Sequence, residues 1–316
     1  MDEFALIEKF FTRQTTSRSD VKLGIGDDAA VTVIDAGFDL VIATDTIIVD
    51  THFPASTDAH AIGHRCLAVN LSDLAAMGAE PLWCTLALSL PSGDADWVAA
   101  FVDGFFELAR CFDIALIGGD TVQGPLAITV TVHGRVKSGE YIPRSGAGSA
   151  DGIYVTGNLG ASAAGLRYMD DVDHSTAEEF LIHRFLYPDP RVKEAQSLFG
   201  LATAMIDISD GLHVDLTRML HASGVGADLD IGQIPLSPEL LTCMTEEAAL
   251  ELALTGGDDY ELCFAVPIER ETELQALLSS WDCRLTRIGQ THSSPEIVWT
   301  YDGQVYTVPD TSFRHF

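Results

Sequence analysis

Two α/β (α+β) domains joined by a glycine- and serine-rich junction are predicted for this 316-residue chain. Three observations predict them. The length suits two domains of ordinary size, each with its own core. Amphipathic segments of helical period alternate with short β-rich runs along the whole chain. Residues 138–150 concentrate Gly, Ser and Pro143, a composition that breaks regular structure. The expected division is 1–137, a junction over 138–150, and 151–316.

The elements follow in chain order. Residues 4–11 predict a short opening helix, and 40–44 (LVIAT) a strand that stops at a polar TDT turn. A helix is expected over about 58–77, with Thr57 or Asp58 capping its free amides. Residues 86–90 read as a strand. Trp97, Phe101, Phe105, Leu108 and Phe112 then recur at steps of three or four, which marks one buried helix face. A short strand over 114–117 leads to Gly118-Gly119-Asp120-Thr121, and 127–136 alternates with period two, a strand with one exposed side. Beyond the junction a strand begins at Ile153. Helices are expected over 161–169, 177–186, 191–199 and 212–222, and a strand over 261–266 precedes a helix near 269–280.

Composition excludes several classes of function. With 47 acidic and 18 basic residues the net charge is −29, which repels nucleic acid and anionic membrane surfaces. The acidic start, Met1-Asp2-Glu3-Phe4, lacks the basic region of a signal peptide, and no apolar run reaches membrane-spanning length. The six cysteines form no Cys-x-x-Cys pair and lie mostly in apolar stretches, as expected of buried free thiols in a reducing cytoplasm.

Five acidic motifs remain to be explained. They are GIGDDAA at 24–30, TDT at 44–46, NLSD at 70–73, GGDT at 118–121 and DISDG at 207–211. Each is expected at a strand exit or helix start. Carboxylates with neighbouring hydroxyls and carbonyls are the hard oxygen ligands that Mg²⁺ takes. An Asp beside Gly also serves a simple turn, so no single motif decides. Gathered together without a cation, such acids would repel one another. The chain has only four lysines and no G-x-x-x-x-G-K-S/T loop, so a bound nucleoside triphosphate would need metal ions to neutralise its charge. Arg144, flanked by Gly146 in the junction, could reach a phosphate or equally be a surface arginine. His52 follows the TDT turn, where a histidine beside Phe53 is commonly structural. His60 and His64 lack the Glu of a zinc-protease motif, and neither Ser72 nor Ser209 sits in a nucleophile elbow.

Taken in order, GIGDDAAV, TDT with HF six residues on, NLSDLAAMGAEP, LIGGDT, RSGA, YVTG, DISDGL, SGVGA and TGGDDYELCF resemble the thiamine-monophosphate kinases. These belong to the aminoimidazole ribonucleotide synthetase-like superfamily, and the resemblance runs from about residue 23 to the final Phe316. It implies the two-domain fold of that superfamily, with N-terminal sheets pairing in a homodimer and the C-terminal domain completing the ATP and substrate cleft. The implied activity is direct, in-line transfer of the ATP γ-phosphate to thiamine monophosphate, giving thiamine diphosphate, with several Mg²⁺ ions; no general base is identified in the sequence. Carried onto this chain, Asp28, Thr44, Asp45, Asp73, Asp120, Asp207 and Asp210 would be metal ligands. Gly119, Asp120, Arg144 and Ser209 would contact ATP, and His52, Asp258 and Phe313 the thiamine phosphate. Two positions depart from the pattern: Ala43 stands where many relatives carry Ser or Thr, and Asp258 where they usually carry Glu. Two other readings stay open on the sequence, namely another enzyme of the same superfamily and a non-catalytic acidic protein that binds divalent cations.

Overall fold

The structure, a computed structural model, describes residues 3–12 and 17–309. Its contacts divide the chain into two units, residues 1–74 with 79–139, and residues 140–316 with 75–78.

The first unit opens with a helical turn, α1 (Glu3–Leu6), continued by a wider π-helical segment over Ile7–Thr12. A small hairpin follows, β1 (Val21–Leu23) and β2 (Val31–Thr32). Then come β3 (Phe38–Ile48), α2 (Ala59–Ala76), β4 (Glu80–Leu90), α3 (Ala95–Cys111), β5 (Ala115–Gln123) and β6 (Ala127–Lys137). The four long strands form one sheet in the order β3-β6-β4-β5, with only the β4–β5 pair parallel.

Strand β6 alternates as its sequence predicts, with Ile128, Val130 and Val132 fully buried on one side. Helix α2 covers that side, since Leu74 lies against Gly134. The two helices cross so closely that a Cβ on Gly63 would meet the Phe101 carbonyl and one on Gly104 the His60 carbonyl. Asp58 is the residue that caps α2, accepting the Ala61 N–H at 2.9 Å, and Asp94 caps α3. Phe101, Phe105 and Leu108 occupy the buried face of α3, and Trp97 stacks on Phe101. On the opposite sheet face, residues around Val21, Ala30 and Ile34 pack on the Trp83–Ile117 end. Leu40, Ile42, Ile48 and Val122 are left exposed.

Two strand ends expected from the sequence lie elsewhere. The TDT segment is interior to β3, and GGDT is interior to β5, which runs on to Gln123. Thr44, Thr46, Ile47 and Ile48 pair across to residues 127–131, so a β-branched run outweighs the turn preference of Asp45. Asp73 likewise sits within α2, one turn before its end, and β4 begins at Glu80 rather than near Leu86.

The second unit contains β7 (Asp151–Thr156), α4 (Ala161–Tyr168), α5 (Thr176–Leu186), α6 (Val192–Ser197), β8 (Ala204–Asp207), α7 (Leu212–Ser223) and β9 (Gly226–Asp230). It continues with α8 (Pro238–Cys243), α9 (Glu246–Thr255), β10 (Leu262–Pro267), α10 (Glu271–Leu277), β11 (Leu285–His292), β12 (Ile297–Tyr301) and β13 (Gln304–Val305). Its sheet runs β13-β12-β9-β11-β7-β10-β8, antiparallel except for β9–β12. The core beneath it joins Ile153, Val155 and Ile206 of the sheet to Leu216, Met219 and Leu254 of α7 and α9. Of the cysteines, Cys66, Cys84 and Cys263 are buried as expected, whereas Cys111 is exposed; all six are free thiols. Among the described residues no helix is long and apolar enough to cross a membrane.

Candidate active site

Each unit carries its own share of the acidic motifs. In the first unit the GIGDD turn between β1 and β2 faces residues 116–121 of β5 across a cavity of about 730 Å³. Asp27, Asp28, Gly119 and Asp120 line it on the polar side, and Ile7, Phe11, Leu86 and Leu116 on the apolar side. Gly26 adopts φ +114°, with open space where a Cβ would stand, so the turn leaves bare backbone toward the cavity. Gly119 answers a different demand. A Cβ there would lie 1.9 Å from the Leu86 carbonyl oxygen, so only glycine lets β5 pair with β4 at this point. The Asp28 N–H donates to Asp27 Oδ1 at 2.8 Å, an arrangement that orders the turn.

Asp45 is fixed from behind by Asn70 of α2. The Asn70 side chain accepts the Asp45 N–H at 2.9 Å through Oδ1 and donates to the Cys66 carbonyl at 2.9 Å through Nδ2. Asn70 is thus a residue of the NLSD motif whose role the sequence reading did not assign. Thr44 and Asp45 are neighbours in a strand and point to opposite faces. The Thr44 hydroxyl donates to Thr131 Oγ1 at 2.9 Å, part of a threonine ladder that continues with Thr46 and Thr129. His52 lies in the tight turn after β3, where its Nδ1 accepts the Ile48 N–H at 3.1 Å. Asp73 is half-buried in α2.

In the second unit Asp207 is the last residue of β8, and Ser209 and Asp210 form the turn into α7. Asp215, on the first turn of α7 and almost wholly buried, accepts the N–H groups of Ser209 (3.0 Å) and Asp210 (2.9 Å). Burial, with Asp207 and Asp210 nearby, pushes the Asp215 carboxyl up to about 7. The Arg218 guanidinium lies between Asp210 Oδ2 (2.6 Å) and Asp215 Oδ1 (2.9 Å). The loop carrying exposed Arg144 is held by the Met205 N–H, which donates to the Pro143 carbonyl, and by Ser223 Oγ, which accepts from Gly146 and Ala147.

The GGDDYEL run packs directly against the DISDG turn. Asp258 N–H donates to the Ser209 carbonyl and Tyr260 N–H to the Ile208 carbonyl, both at 2.8 Å. Asp258 (φ +63°) and Tyr260 (φ +52°) adopt left-handed backbone, a strain of order 1 kcal/mol each for residues with side chains. The three acids of the run have separate tasks. Glu261, fully buried, binds Arg191 through two contacts of 2.6 Å, Arg184 at 3.1 Å and Thr156 at 2.7 Å. Asp259, also buried, accepts the Gly160 N–H at the start of α4, and burial raises its carboxyl to about 7. Asp258 alone remains half-buried, its Oδ1 accepting the Tyr260 hydroxyl at 3.1 Å.

The structure therefore brings Asp28, Gly119 and Asp120 to one cavity, and Asp207, Ser209, Asp210 and Asp258 to one pair of loops. Among the described residues no three acidic, His or Cys side chains converge tightly enough to hold a metal ion by themselves. Phe313 lies outside the described residues. The donor set nevertheless suits Mg²⁺, because it is all oxygen and leaves positions for water and phosphate. Asp215 and Arg218 follow DISDGL at a helical spacing that acquires meaning only because the turn folds onto α7.

A two-unit fold with acidic, glycine-rich turns and no P-loop defines the wider class. Residues 26–136 match the N-terminal domain of the AIR synthase related proteins, and residues 149–302 their C-terminal domain. The thiamine-monophosphate kinase of Escherichia coli strain K12 is 44% identical over 99% of this chain and 98% of its own. The crystal structure of the thiamine-monophosphate kinase from Stenotrophomonas maltophilia K279a superimposes with a TM-score of 0.89 at 44% identity, over 97% and 98% of the two chains. The solved complex of AaThiL with AMPPCP and TMP gives 0.79 at 29%, over 90% and 89%. The chain belongs to the thiamine-monophosphate kinases within the AIR synthase related family.

Proposed function

We propose that this chain transfers the γ-phosphate of ATP to thiamine monophosphate, producing thiamine diphosphate by direct in-line displacement. The observation that carries this reading is the convergence of the GIGDD turn and Gly119-Asp120 on one cavity whose walls offer bare backbone and carboxylates but no lysine. Gly119 and Asp120 bind ATP there, and Arg144 and Ser209 are further ATP contacts. Asp28, Thr44, Asp45, Asp73 and Asp120, with Asp207 and Asp210, hold several Mg²⁺ ions. When bound, Mg²⁺ supplies the charge neutralisation and phosphate bridging that lysines supply elsewhere. The Thr44 hydroxyl donates its proton to Thr131, which leaves its oxygen lone pairs to meet a cation. His52, Asp258 and Phe313 take the thiamine phosphate. The acceptor is a phosphate oxygen already anionic near neutral pH, so the residues orient the two substrates and exclude water, and no general base is required.

The exposed sheet face bearing Leu40, Ile42, Ile48 and Val122 supports pairing of two first units in a homodimer. Residues 1–137 serve metal, ATP and pairing, and residues 151–316 complete the substrate site. Six free thiols suit a reducing cytoplasm.

The test is product formation from purified protein, ATP and thiamine monophosphate, with and without Mg²⁺. Thiamine diphosphate that appears only with Mg²⁺ is expected. Nucleotide binding without product would move the acceptor to another small molecule, and absence of both would return the chain to the acidic cation binders.

A further inference from the structure

The DISDG turn contributes three residues to the proposed site, yet its chain direction reverses between a strand end and a helix start with little regular pairing of its own. What holds it comes from two sides. On one side the Ser209 and Ile208 carbonyls accept from Asp258 and Tyr260. On the other, the N–H groups of Ser209 and Asp210 both donate to a single oxygen, Asp215 Oδ2. The second oxygen of the same carboxylate meets Arg218, whose Nη1 also binds Asp210 Oδ2.

We infer that Asp215 is a positioning residue for phosphoryl transfer, which sets the Ser209–Asp210 backbone, and that Arg218 is a counter-charge that competes with a cation for the Asp210 carboxylate. This inference rests on the proposed reading of Ser209 and Asp210. Asp215 is 1% exposed and so cannot itself reach a ligand. A buried carboxylate survives only when its lone pairs are satisfied, and here two backbone amides and one guanidinium satisfy them. The arrangement also links the two sides of the reaction. Asp215 fixes the Ser209 amide, while the Ser209 carbonyl accepts from Asp258, the residue assigned to the acceptor. Arg218 has a different character. Its side chain is half-exposed, and its positive charge opposes any cation approaching Asp210.

The two residues therefore have opposite signs of effect, which mere structural support would not give. Asp215→Asn keeps the shape but leaves one acceptor oxygen for the two amides and the guanidinium. It should raise the half-saturating Mg²⁺ concentration about tenfold, with the Michaelis constant for thiamine monophosphate within about twofold of wild type. Arg218→Gln should lower half-saturating Mg²⁺ by about threefold, as expected for loss of one nearby charge at near-aqueous screening. Hydrogen exchange of the metal-free protein gives a readout apart from turnover: amides over residues 207–212 should exchange about tenfold faster in Asp215→Asn, with those of β6 unchanged. Shifts of Mg²⁺ dependence in the same direction in both variants, or unchanged exchange over 207–212, would overturn the inference. If the wild type makes no thiamine diphosphate, the functional reading fails while the exchange measurement still decides the role of Asp215. Should Asp215→Asn not fold, Asp215→Ser takes its place in both measurements and is read in the same way.

Discussion

Glu261 is the anchor of the GGDDYEL run, and its removal should be among the most damaging single changes in the second unit. The carboxylate is fully buried and accepts four hydrogen bonds, three of them from Arg191 and Arg184. Glu261→Ala leaves Arg191, which is 7% exposed, without its two shortest contacts and paired only through Nη1 with the exposed carboxylate of Asp189. Breaking a buried ion pair from one side costs about 3–5 kcal/mol, because desolvation of the survivor is no longer offset. At about 2–4 °C per kcal/mol for a domain of this size, the melting temperature should fall by roughly 6–20 °C. Calorimetry or circular dichroism in a common buffer measures it. A second variant separates the pair from mere packing: Glu261→Leu with Arg191→Met removes both charges and should recover most of the loss, since Arg184, 20% exposed, can turn toward solvent. A melting temperature within about 2 °C of wild type for Glu261→Ala would sink this account, by showing that water and the existing Asp189 contact at 2.9 Å satisfy Arg191 without Glu261.

Further outcomes follow from the same geometry. Asp259, raised by burial to about 7, makes the native state bind one more proton than the unfolded chain between its ordinary carboxylate range and that value. Its contribution is thus present at low pH and lost as pH rises through this window, at about 1.4 kcal/mol per unit. Denaturant titrations from pH 4 to 7 should show wild type declining relative to Asp259→Asn, and parallel curves would exclude the shift. Asp45→Asn and Asp120→Asn should each lower transfer about a hundredfold or more with unchanged melting, as loss of ligands to a catalytic metal does; full activity in both removes the metal assignment. Ile42→Glu, on the exposed sheet face, should convert a dimer to monomer in sedimentation experiments without lowering the melting temperature of the unit. A dimer that persists would place the pairing surface elsewhere.

The sequence alone determined the two-domain α/β plan, the helices over α2, α3, α5 and α7, and strand β6, because each carries a clean period or a cap. It also marked the acidic motifs, whose lack of any lysine loop pointed to metal-assisted phosphate chemistry. Other elements were not legible. Strand β11 has its alternation interrupted by a bulge between Arg287 and Gly289, and residues 238–255, now α8 and α9, offered no single amphipathic face. Tertiary structure alone decided which acids of one motif do which work. In GGDDYEL, Glu261 closes an ion network, Asp259 caps a helix and Asp258 stays accessible, three fates for adjacent carboxylates of similar chemistry. The physical reason is that burial and partnership are set by residues distant in sequence: Arg191 and Arg184 for Glu261, Gly160 for Asp259, Asn70 for Asp45. Local pattern shows that a carboxylate is present, whereas the long-range contacts fix its charge, its direction and the ligands left open to it.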